Sequence, residues 1–106
     1  MKKLWIDDVR HAPAGYEWAR SVEGAKNAIK RRENYNNPYE LIDIDHDAGD
    51  FYMLGGDYIK LLDWLEETDR NYPIRIHSMN PVGIQNMRAI IRHNGWTEVK
   101  NNGQVL

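Results

Sequence analysis

The chain has 106 residues, 42% hydrophobic and 28% charged, with four Trp and six Tyr; a single domain, spanning 1–106, is expected, and a disordered chain is not. Fourteen Lys and Arg against sixteen Asp and Glu leave a net charge of −2, which gives no electrostatic reason to bind duplex nucleic acid or an anionic membrane. The absence of cysteine excludes disulfides, thiolate zinc sites and cysteine nucleophiles, so any metal must be held by oxygen or imidazole ligands.

Met1-Lys2-Lys3 leads into an apolar run of only Leu4-Trp5-Ile6, too short for a signal-peptide core or a membrane span, and a cytoplasmic location is the expectation. Lys2 to Ile6 reads as a first buried strand that stops at Asp7-Asp8. Val9 to Gly15 contains Pro13 and Gly15 and reads as loop. Tyr16 to Arg20 is a second strand. Ser21 then caps a helix running to about Glu33, with Val22, Ala25, Ala28 and Ile29 on its inner face. Leu41 to Asp45 is a third strand, although Asp43 falls where a central strand should be apolar.

A loop over Ala48 to Gly56 carries three glycines. It precedes a helix from about Asp57 to Thr68 with Tyr58, Leu61, Leu62 and Leu65 on one stripe. Ile74 to His77 is a fourth strand. Asn80-Pro81 opens a third helix that ends at Asn94-Gly95, Trp96 to Val99 is a fifth strand, and the tail beyond Lys100 is expected to fray. Strands alternating with helices predict an α/β fold with a largely parallel five-stranded sheet and three helices, its site at the carboxyl ends of the strands.

Those ends concentrate the polar residues: Asp7-Asp8 after the first strand, Asp45-His46-Asp47 after the third, His77-Ser78-Met79-Asn80 after the fourth. Carboxylates held close repel one another unless a cation intervenes, and oxygen ligands from Asp7, Asp8, Asp45 or Asp47 suit Mg²⁺ or Mn²⁺. The plainer alternative is that Asp7-Asp8 solvates a strand end and starts a turn. His46 and His77 at neighbouring strand ends suit acid and base work near neutral pH, with Asp45 or Asp47 orienting a ring. A histidine packed against a carbonyl is the competing reading for each. His11 could line the same cleft or simply be solvated.

Ser78, Asn80 and the Val82 and Gly83 amides form a candidate anion pocket at a helix N-terminus, with simple capping by Asn80 as the alternative. Arg10 either neutralises a carboxylate or clamps a phosphate. The four Trp are assigned to the core and Lys30-Arg31-Arg32 to a solvated helix end.

Four separated motifs carry a resemblance: Ile6-Asp7-Asp8-Val9-Arg10 with Pro13; Ile44-Asp45-His46-Asp47 with Gly49; Gly56-Asp57-Tyr58; and His77-Ser78-Met79-Asn80-Pro81-Val82-Gly83. In these, from Leu4 to about Met87, the sequence resembles the cyclic-phosphate processing receiver domains, compact relatives of the two-component receivers of bacteria and their phages. The resemblance implies a three-layer, receiver-like (flavodoxin-like) sandwich with the first crossover helix reduced to a loop. It also implies handling of cyclic phosphates on nucleotides, cyclic oligonucleotides or RNA ends. Ala48 stands where Leu is usual, and Asp43 adds an acid within the strand.

The favoured expectation is a phosphodiesterase with His46 and His77 as acid and base, acting on a nucleotide or cyclic nucleotide ligand. Two alternatives stay open. One is a protein that sequesters a cyclic nucleotide signal, as a phage could do against a host defence. The other is an ordinary receiver in which Asp45 accepts a phosphoryl group beside Asp7-Asp8, Ser78 and Lys100. Oligomeric state stays open, a homodimer included.

Overall fold

The computed structural model describes residues 2–100. Four short runs of β-branched, aliphatic and aromatic residues form strands: β1 (Lys3–Ile6), β2 (Tyr16–Ala19), β3 (Leu41–Ile44) and β4 (Ile74–Ile76). They lie in the order β2-β1-β3-β4 and every neighbouring pair is parallel. The connections supply three helices, α1 (Val22–Asn34), α2 (Ile59–Glu67) and α3 (Pro81–Asn94), with a 3₁₀ segment over Gly49–Leu54.

Local chemistry sets the helix ends. The Ser21 hydroxyl accepts from the Gly24 amide, Asn80 does the same for Gly83, and Pro81 occupies the first turn of α3. Gly95, at φ 68°, closes α3 in the left-handed conformation. α2 begins later than its sequence pattern suggested. Asp57 turns back to accept the Ala48 amide, and Tyr58 precedes the helix.

Alternation in the strands sorts the sheet into two unlike faces. The register aligns Leu4 with Ile42 and Ile74, and Ile6 with Ile44 and Ile76. These residues pack with Val22, Ala25 and Ile29 of α1, Leu61, Leu62 and Leu65 of α2, and Met87 and Ile91 of α3. Each of the Val, Leu, Ile and Met side chains contributes roughly 1.5–3 kcal/mol on burial. The opposite face carries Trp5 beside Trp18, and Asp43 between Trp5 and Arg75. No helix among the described residues covers it.

Two expectations are therefore corrected. The sheet has four strands: Trp96 to Val99 contributes a single parallel bridge, Glu98 to Ile74, held by Ile74 N–H to Thr97 O and Val99 N–H to Ile74 O. β4 offers only three residues for pairing, and Gly95 turns the chain immediately before. The helices lie on one side, so the described part has two layers and not three. The β1–β2 connection is too short and too interrupted by Pro13 and Gly15 for a crossover helix, and lies instead as a loop whose Arg10 carbonyl accepts the Trp5 indole N–H. The tail beyond Lys100 lies outside the described residues.

Candidate active site

Because all four strands run the same way, the residues that follow β1, β3 and β4 meet at one rim. Asp7 is fully buried at the end of β1. One of its oxygens accepts the Val9 and Arg10 amides, both at 2.9 Å. Burial works to raise the Asp7 pKa, but those amides and the His77 ring outweigh it and hold the carboxyl below its usual range. Asp8 is pushed the other way, by burial first and then by the charges of Asp7 and Asp45. Asp45 accepts the His46 amide at 2.7 Å.

Ligand oxygens of Asp7, Asp8 and Asp45 lie within 4.8 Å of one another, so the structure brings together the three acids picked out as metal ligands. Three hard oxygen donors, one of them with its pKa raised by burial and then by its acidic neighbours, fit a divalent cation such as Mg²⁺ or Mn²⁺. Gly49 leaves room for this group: at φ 55° it favours glycine, and a Cβ there would run into the Asp8 carboxylate. His46, Asp47 and Asp57 form a second group close enough to share an ion.

His46 and His77 have different surroundings. His46 lies on the rim, where its Nδ1 meets Asp47 Oδ1 at 2.8 Å and its Nε2 makes no hydrogen bond among the described residues. One edge of its ring rests on the start of α3, where a Cβ on Gly83 would come 2.5 Å from the ring.

The His77 ring turns inward, 8% exposed. Its Nδ1 meets Asp43 Oδ1 at 2.6 Å and its Nε2 meets Asp7 Oδ2 at 3.0 Å, while the ring stacks on Trp5 at 3.7 Å and 4°. Both ring nitrogens are engaged, so the picture of two open imidazoles facing one substrate does not match this geometry. Asp43 continues the network. Its other oxygen accepts the Tyr16 hydroxyl at 3.0 Å and lies 3.1 Å from Arg75 Nε, at an angle that makes an ion contact and not a hydrogen bond. Burial and then the Asp43 charge raise the Tyr16 pKa.

Of the candidate anion-binding groups, Arg10 is about half exposed, with loose contacts of 3.6 Å to Asp7 and 3.5 Å to the His77 carbonyl. Ser78 Oγ accepts the Asn80 amide, and Asn80 also reaches Asp47 at 3.4 Å. The Gly83 amide is corrected as an anion donor, because Asn80 already takes it. Gly83 matters here because it gives His46 space. Val82 is exposed in the first turn. His11 lies tilted on Trp18.

Sequence reasoning flagged Asp43 without a role and placed Trp5 only in the core. Both support His77. The signal was the two-residue period that puts Trp5 with Asp7, Asp43 with Asp45, and Arg75 with His77 on one face.

A parallel α/β sheet that gathers three acids at the carboxyl ends of β1 and β3 defines a receiver-like domain. The sequence is consistent with a more particular group: a model of the cyclic-phosphate processing receiver domain matches residues 2–93, and the chain belongs to that family. No curated protein matches it. No helix of the described residues is long and apolar enough to cross a membrane.

Proposed function

We propose that the protein is a phosphoesterase that opens a cyclic phosphate on a nucleotide. The observation that carries this reading is the pairing of His46, oriented by Asp47 with Nε2 left open, beside the oxygen cluster of Asp7, Asp8 and Asp45. In ring opening, water adds to phosphorus, one P–O ester bond breaks, and the departing alkoxide takes a proton. His46 Nε2 takes the proton that the attacking water loses and returns it to the alkoxide, and Asp47 fixes the ring and supports its charged form. A Mg²⁺ or Mn²⁺ ion held by Asp7, Asp8 and Asp45 would offset their charge and polarise the phosphoryl oxygens.

Arg10 is the group for the phosphate: its existing contacts are long, so its guanidinium fork can turn to an anion with little loss. The Ser78 hydroxyl, which accepts from Asn80, keeps its proton for a phosphate oxygen. His77 acts through Asp7, which it locks from behind, and so positions the cluster without touching substrate. Val82 supplies the remaining amide of the first helical turn.

The test is incubation with 2′,3′-cyclic and 3′,5′-cyclic mononucleotides, with and without EDTA, for the native protein and His46→Ala. Ring opening that EDTA and His46→Ala both abolish supports the reading. Absence of any product overturns it, and release of intact ligand after stoichiometric capture would mark a sequestering protein. A second reading, a phosphoacceptor receiver using Asp45, draws on Ser78 and Lys100 lining one cavity. It predicts that beryllofluoride binds the native protein and not Asp45→Asn.

A further inference from the structure

A cavity of about 350 Å³ opens beside the acid cluster, between the end of β4, the start of α3 and the Glu98–Lys100 segment. Arg10 belongs to both: it lies against Asp7 and it lines the cavity. We propose that this cavity is the nucleoside subsite, and that the substrate is a single cyclic nucleotide unit and not a cyclic oligonucleotide. The inference rests on the phosphoesterase reading and adds to it the part of the substrate that does not react.

Size gives the first argument. Small-molecule sites span roughly 300–1,000 Å³, and about 350 Å³ lies at the low end of that range, a size suited to one nucleoside.

The lining gives the second. Ile84 and Val99 offer apolar walls suited to a base, with Met79 largely exposed at the edge. Arg88 presents a flat guanidinium. Its Nε and Nη2 are pinned on Glu98 at 2.9 and 2.6 Å, and Glu98 is itself buried, so the plane cannot swing away. A guanidinium fixed in that way stacks on a base. Lys100 and Arg10 add positive charge to the lining, suited to the phosphate.

Placement gives the third. With phosphorus held by Arg10, which reaches both Asp7 and the cavity, the sugar and base extend into the cavity. Binding energy gained on the nucleoside then positions the ring for attack.

The experiment compares 2′,3′-cyclic AMP with glycerol 1,2-cyclic phosphate, which has the same five-membered ring and no nucleoside. Ile84→Trp fills the cavity, and Met79→Trp covers its mouth from an exposed position should the first variant not fold. The ratio of kcat/KM for the nucleotide to that for the glycerol ester is expected to fall by about tenfold or more, with the loss in KM. An unchanged ratio overturns the subsite, as does turnover of cyclic di-AMP by the native protein at least equal to that of 2′,3′-cyclic AMP. Should neither ring be opened, the phosphoesterase reading falls, and calorimetry with 2′,3′-cyclic AMP decides the subsite by itself. Weaker binding to the filled variant supports it, and equal binding overturns it.

Discussion

Replacing His77 by alanine tests whether that ring is structural support or an exposed reagent. The substitution removes two hydrogen bonds to carboxylates that are themselves fully buried, Asp7 and Asp43, and the stack on Trp5. Hydrogen bonds to charged groups contribute about 1.5–3 kcal/mol each. The two together give a loss of about 3–6 kcal/mol, a large share of the ~5–15 kcal/mol that holds a domain together. At ~4 °C per kcal/mol for a chain of this size, Tm falls by about 12–24 °C.

His46→Ala is the matched control, since its Asp47 partner is 60% exposed and the bond is worth about 1 kcal/mol or less. Urea and thermal unfolding followed by Trp fluorescence measure both. Equal losses, or a loss below about 1 kcal/mol for His77→Ala, would refute the reasoning. His77→Phe, which keeps a ring on Trp5, should recover only a minor part of the loss.

Asp8→Asn removes a carboxylate that burial and then the Asp7 and Asp45 charges destabilise, so without added metal it should stabilise the protein at neutral pH by about 0.5–2 kcal/mol, seen as a higher melting temperature. The same change should weaken the upward Tm shift given by Mn²⁺; an unchanged shift would remove Asp8 from the ligand set. Gly83→Ala places a methyl against the His46 ring, and should cost about 1–3 kcal/mol and displace the ring, read as a shifted His46 NMR resonance and lost ring opening; an unmoved resonance would contradict the packing. Acid should unfold the protein through carboxyls whose folded pKa is depressed. Glu17 is held down by Arg32 and Tyr39, Glu33 by Arg70 and Tyr72, and Asp7 by its amides and His77 against burial. Stability from these groups is complete above their unfolded pKa of about 4 and lost as pH falls through the lower folded values. Glu33→Gln should flatten that decline in urea titrations between neutral and acid pH, and an unaltered slope would exclude its contribution.

Much of this site was legible because strand ends in a parallel sheet must share an edge. Asp7-Asp8 and Asp45 could be brought together from the alternation of strands and helices alone, and Ser21 and Asn80-Pro81 marked their helices through capping chemistry. The direction of a side chain at a strand end was harder to read. His46 and His77 look alike in sequence, yet the pleat sends His77 to the face where Trp5 and Asp43 await it, and His46 to the rim. Asp43 looked like a conflict only while both faces of the sheet were assumed to be apolar. The face without helices makes room for its polar network with Tyr16, Arg75 and His77. The fifth strand was misjudged because Trp96 to Val99 has strand composition, whereas pairing was limited by the three residues of β4.

The decisive measurement is phosphorus NMR of 2′,3′-cyclic AMP incubated with Mg²⁺ and either the native protein or His46→Ala. The account predicts that the signal of the strained ring gives way to that of a monoester with the native protein and persists with the variant. Equal ring opening by both, or none by either, would contradict it.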